Sequence, residues 1–171
     1  ILKLLFLTLL IYQHYELDPE NFVKITFITK DYNYFLKPVE YFYKIGIISY
    51  DGVSNFAGRL PGYWLPYLIL RFFFTKKISI ILLIIFQIIL SIISNLLFSL
   101  LVYRKTKNEI LFWISIFIYS SNFFLLPFEY MTMTESLSVS TSVIGFYYFN
   151  KFYQNYRLNI NYLIISGFML A

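Results

Sequence analysis

Asp31, in Lys30-Asp31-Tyr32-Asn33-Tyr34, and Arg59, in Gly58-Arg59-Leu60-Pro61-Gly62-Tyr63-Trp64, have the types and settings from which chemistry can be built. A loop carboxylate can take a proton from an attacking hydroxyl or hold a divalent cation. An isolated loop aspartate is more often a solvated acid or the acceptor of an Asx turn. A guanidinium grips a phosphate through paired hydrogen bonds, and it serves equally as a snorkelling anchor at a membrane surface. Lys76 and Lys77 can meet the same phosphate, although interfacial anchoring is the commoner role for such a pair. Glu129 and Glu135 are secondary candidates, because ionisable groups close to a membrane core are functional by default. For Glu135 the run Thr132-Met133-Thr134-Glu135 matches a capping box, which favours helix initiation. The remaining loop acids, Glu16, Asp18, Glu20, Glu40 and Asp51, have weaker claims, and Asp18 and Glu40 already sit at helix starts.

Composition narrows the chemistry. The chain has no Cys, so disulfides and thiolate metal sites are excluded. His14 is the single histidine, so a metal would have to be a hard cation held by oxygen. A phosphate-binding Gly loop, a nucleophile elbow and a zinc-helix motif are all missing from the sequence. Apolar residues make up 59% of the chain and charged residues 13%, against about 25% charged in a soluble domain. The net charge of +5 is scattered between apolar runs, so it speaks for membrane topology rather than for nucleic acid.

The elements that must position these residues are apolar helices. The fold class expected is all-α: a polytopic transmembrane bundle with a large external first loop, in one domain over 1–171. Span 1 is placed at Ile1–Tyr15, the loop at Glu16–Leu60 and a short half-helix at Pro61–Phe74, broken by Pro66. Further spans follow at Ile78–Tyr103, Glu109–Leu126 and Thr134–Phe149, with the start of another at Asn161. Runs near 20 apolar residues match a hydrocarbon core roughly 30 Å thick. The chain opens on Ile1 and ends at Ala171 inside an apolar run, as the N-terminal part of a longer membrane protein would.

Orientation follows from the basic loops. Arg104, Lys105 and Lys107, and then Lys151 and Arg157, belong to the cytoplasm. The 127–133 turn, with Glu129, faces outward, and so does the first loop. Lys76-Lys77 violates the rule, which is why Pro61–Phe74 is read as an interfacial segment anchored by Tyr63, Trp64 and Tyr67. Two amphipathic surface helices are legible in the loop. Asp18-Pro19-Glu20 starts one, with Phe22, Val23, Thr26 and Phe27 on its apolar face. Pro38-Val39-Glu40 starts the other, with Val39, Phe42 and Tyr43 on one face and Gly46 as its stop. Tyr50-Asp51-Gly52 marks a turn.

This order of elements resembles the polytopic glycosyltransferases of the GT-C superfamily, in the branch of dolichyl-phosphate-mannose protein mannosyltransferases and aminoarabinose transferases. The features that carry the likeness are the acidic external loop with Asp31-Tyr32-Asn33-Tyr34-Phe35, the run Gly58–Pro66 leading back to the membrane, and Glu129 with Met133-Thr134-Glu135-Ser136-Leu137. It departs from many members in having Tyr32 beside Asp31 instead of a second acid, and Trp64 where many have Pro. The resemblance implies inverting transfer of a sugar from a polyprenyl-phosphate donor to an acceptor glycan, lipid or protein at the external face. It implies Asp31 as base or as ligand of a possible divalent cation, and Arg59, Lys76 and Lys77 as binders of the donor phosphate. An AT-rich style of composition points to a bacterial inner membrane, with the endoplasmic reticulum as the alternative. A polytopic transporter or lipid flippase, or a non-catalytic assembly subunit, are the competing functions.

Overall fold

The computed structural model describes residues 2–28, 36–49, 51, 53, 61–121, 131, 134–154 and 160–170. Among them the chain is all-helical: α1 (Leu2–Leu17), α2 (Phe22–Phe27), α3 (Lys37–Ile45), α4 (Pro61–Phe73), α5 (Lys76–Thr106), α6 (Glu109–Ser120), α7 (Thr134–Gln154) and α8 (Ile160–Leu170). It divides within α5, after Ile88, into two compact units.

In the first unit both loop helices form, α3 close to its expected start but α2 later than expected, opening at Phe22 after Asn21 rather than at Asp18-Pro19. Asp18 Oδ1 accepts from the backbone N–H of Glu20 and Asn21 at 3.2 and 3.1 Å. This fixes the turn that leads into α2, where Val23, Thr26 and Phe27 are buried. Proline stands in the first turn of α3, and Gly46 ends that helix in the left-handed region at φ 75, its N–H donating to Phe42 O. Only glycine takes that conformation without strain, which is why the helix stops there. Asp51 makes the expected turn, with Oδ1 accepting from Val53 N at 2.9 Å.

Two details of α4 differ from expectation. Pro66 lies inside a continuous helix. Its missing N–H and its ring affect the carbonyl four residues back, Gly62, still within the first turn, so little of the helical ladder is lost. Tyr67 is not an exposed anchor. It is fully buried.

The second unit is built on the rest of α5 with α6, α7 and α8. Among the described residues α5 is the one helix long and apolar enough to cross a membrane. Its 31 residues correspond to about 46 Å at 1.5 Å per residue. Helices α1 and α8, at 16 and 11 residues, are too short to cross by themselves, and the two spans expected between α5 and α8 fall short for separate reasons. Helix α6 is apolar but has 12 residues, and positions 122–126 of that expected span lie outside the described residues. Helix α7 has 21 residues, but Ser136, Ser138, Ser140, Thr141 and Ser142 dilute its apolar character.

The interior of this unit mixes apolar residues, Leu101, Leu137, Ile144 and Tyr147, with many small polar ones. Ser91, Ser94, Asn95 and Ser99 of α5 are buried, as are Ser115, Ser136, Ser140 and Ser166. Meanwhile Ile110, Trp113, Phe117 and Ile118 of α6 are exposed, Phe117 at 71%. Gly145 supports a close helix contact, since a Cβ there would lie 2.7 Å from Leu170 Cγ of α8.

Candidate functional site

Asp31, Arg59 and Glu129 lie outside the described residues, and so does the side chain of Glu135, although its backbone opens α7. Of the expected site residues, Lys76 and Lys77 are described. Both are exposed, on the first turn of α5. Lys77 Nζ donates to the backbone carbonyl of Glu20 at 2.8 Å, tying the start of α5 to the turn before α2. An ammonium has three N–H donors, so this bond leaves it capacity for an anion.

The first unit also holds a charged constellation that the sequence did not announce. Glu40 Oε1 accepts a hydrogen bond from the Tyr67 hydroxyl at 2.6 Å and another from Arg71 Nε at 3.0 Å. Both side chains of the ion pair are 16% exposed. Arg71 Nη1 donates to Phe74 O at 3.0 Å, and its guanidinium carbon lies 4.6 Å from the centre of the Tyr43 ring. Tyr43 in turn meets Phe72 edge to face. Arg71 is thus held by α3, by the end of α4 and by an aromatic face.

The local folding that builds this cluster is simple. Tyr67 and Arg71 are four residues apart on α4, so they project from one face. Glu40 sits in the first turn of α3, where the exposed amides already favour a negative charge. Burial works against ionisation of Glu40. The hydrogen bonds from Arg71 and Tyr67, with the charges of Arg71 and Lys76, outweigh it and hold the carboxyl below its ordinary value. Burial also works against the Arg71 charge, and Glu40 reverses that, leaving the guanidinium more firmly protonated than usual.

The other polar contacts of this unit hold structure. His14 Nδ1 and Thr26 Oγ1 lie 2.7 Å apart and join α1 to α2. Asp18 also accepts from Asn21 Nδ2 at 3.1 Å. The bonds from Asn21, side chain first and then backbone, hold its carboxyl below the ordinary carboxylate pKa. Among the described residues, no three His, Asp or Glu side chains gather where they could hold a metal ion.

The signal for Glu40 was present but long-range. A Tyr and an Arg spaced by four on a short apolar helix, with an acid at the start of the preceding helix, describe a donor pair and an acceptor. Nothing in the local pattern says that they meet across 31 positions. No family model, curated protein or solved structure matches the chain.

Proposed function

We propose that the chain is part of an integral membrane glycosyltransferase that moves a sugar from a polyprenyl-phosphate donor to an acceptor hydroxyl at the non-cytosolic surface. The observation that supports this reading is the segregation of charge. Helix α5 carries no charged residue between Lys77 and Arg104, its polar groups are buried and neutral, and large apolar side chains face outward. The ion pair Glu40–Arg71 lies on the helices before α5, and Lys77 at the start of α5 bonds the backbone carbonyl of Glu20. Charge placed at the end of an apolar helix suits a substrate whose phosphate lies at headgroup depth. Transport pathways more often place ionisable groups near the midplane.

In this reading Asp31 removes the proton of the acceptor hydroxyl. The oxygen attacks the anomeric carbon, the bond from that carbon to the phosphate oxygen breaks, and the configuration inverts. Arg59, Lys76 and Lys77 stabilise the phosphate as it gains charge. If Asp31 holds a divalent cation, the same carboxylate positions it. The Glu40–Arg71 pair fixes α3 against α4.

The test is sugar transfer by the full-length protein in membranes, with Asp31→Asn compared with wild type at equal abundance. Loss of a general base lowers the rate by about 10²-fold or more, and that loss is expected. Transfer at the wild-type rate would remove Asp31 from the chemistry. A protein that moves the lipid across the bilayer without transferring its sugar belongs with the flippases instead.

A further inference from the structure

We infer that the hairpin of α5 and α6 binds an anionic phospholipid, with an acyl chain in an apolar groove and the headgroup phosphate on the lysines of the connecting turn. This rests on the membrane part of the reading above and is independent of sugar transfer. The groove has a volume of about 430 Å³ and is lined chiefly by Phe98 and Val102 of α5 and by Leu111, Ile114 and Ile118 of α6, with Ser115 at its floor. It is open along one side, as a site for a chain lying against the protein in a lipid phase would be. Its lining residues recur at helical spacing on both helices, so the groove runs along the hairpin away from the turn.

The turn supplies the complementary charge. Arg104, Lys105 and Lys107 are exposed there, with Glu109 the one acid among them. Three cations and one acid leave a local charge of +2. Arg104 already lies over the Tyr147 ring, 5.4 Å from its centre, whereas Lys105 and Lys107 have no ion-pair partner among the described residues. The turn is also fixed in shape. Lys107 takes φ 55, and its N–H donates to Tyr103 O at 2.7 Å. Asn108 Oδ1 accepts from Ile110 N at 2.8 Å and so starts α6. A preset basic turn at one end of an apolar channel matches the two halves of an anionic lipid. A neutral lipid would fill the channel without using the lysines.

The chain has two tryptophans, and Trp113 lies exposed on α6 beside the lining residue Ile114. Trp64→Phe therefore leaves Trp113 as the reporter. The full chain is placed in bilayers of zwitterionic lipid with a minor fraction of brominated phosphatidylglycerol or, separately, brominated phosphatidylcholine. Each basic residue near the surface contributes roughly a fivefold preference for anionic lipid. Trp113 should be quenched several-fold more effectively by the anionic species. Lys105→Gln with Lys107→Gln, both exposed and so neutral to folding, should equalise the two lipids. Ser115→Phe, which fills the groove, should weaken quenching with both lysines in place.

Equal quenching by both lipids in the unaltered turn overturns the proposal, as does a preference that survives loss of the lysines. Undiminished quenching by the anionic lipid in Ser115→Phe overturns the groove. If neither lipid quenches Trp113, this inference and the membrane reading fail together. If the anionic preference holds while no sugar is transferred, only the transferase reading fails.

Discussion

The contact of α3 with α4 and the contact of α5 with α6 solve the same problem with opposite chemistry. In the first, a carboxylate accepts from a tyrosine and an arginine, and full charges are used. In the second, Ser94 Oγ meets the Tyr119 hydroxyl at 2.8 Å, and Asn95 Nδ2 donates to Ser120 Oγ at 2.8 Å and towards the Ile116 carbonyl at 3.4 Å. Every group there is neutral. An ion pair 16% exposed keeps part of its hydration, so its desolvation cost is bounded. Inside an apolar bundle that cost would rise by several kcal/mol per ion, whereas a neutral hydrogen bond orients two helices without it. The two contacts therefore differ in chemistry as they differ in setting: charged where water reaches them, neutral on the long apolar helix.

The sharpest way to break this comparison is Glu40→Ala. It takes an acceptor from both Tyr67 and Arg71 and leaves a half-buried guanidinium without its counter-charge. We expect a loss of about 2–3 kcal/mol, read from unfolding of the full chain in mixed micelles followed by circular dichroism. Glu40→Gln keeps an acceptor and should cost less. A loss below that of an ordinary exposed ion pair, about 0–1 kcal/mol, would mean that the charged contact does not fix α3 on α4.

The same pair should make this contact sensitive to acid. The Glu40 carboxyl is lowered from its ordinary value of 4.5. A depressed carboxylate gives stability that is fully present above its unfolded value and is lost as pH falls through the folded one. The contact should therefore hold at neutral pH and weaken below about pH 4.5. Glu40→Gln should remove that part of the acid sensitivity. Identical acid profiles for the variant and the wild type would assign the sensitivity to other carboxylates.

What the sequence made legible follows the range of the interactions. Hydropathy placed the long helix within three residues at either end, Ile78–Tyr103 against Lys76–Thr106, because apolar length is a local property. Gly46 is legible for the same reason, since a helix stop is decided within a few residues, whereas Asp18 closes a turn ahead of the helix it is expected to cap. Tyr67 was read as a headgroup anchor and proved buried on Glu40. Its amphipathic ring suits either role, and only the fold of the intervening chain selects one. Pro66 was read as a breaker, although its place near the helix start makes it tolerable. Asp31 and Arg59, on which the chemistry was argued, lie outside the described residues, so their proposed roles rest on residue type and resemblance.

The smallest expected effect tests the neutral side of the comparison. Asn95 is buried and reaches the next helix through a side chain and a backbone carbonyl. Asn95→Ala removes both interhelical bonds and the long one that its Oδ1 accepts from Ser99 Oγ, while Ser120 can turn its hydroxyl back to a carbonyl of its own helix, as Ser121 does to Phe117 O at 2.6 Å. Because the partners find substitutes, hydrogen bonds between membrane helices average about 0.6 kcal/mol and rarely exceed about 1.7. The expected loss is in that range, below that of Glu40→Ala, and it should be independent of pH between 4 and 8 on the order of the measurement's precision because no titrating group takes part. Measured by the same micellar unfolding, a loss equal to that of Glu40→Ala would erase the distinction. The neutral seam would then be bearing as much of the fold as the ion pair, and the contrast between the two contacts would lie in their setting alone.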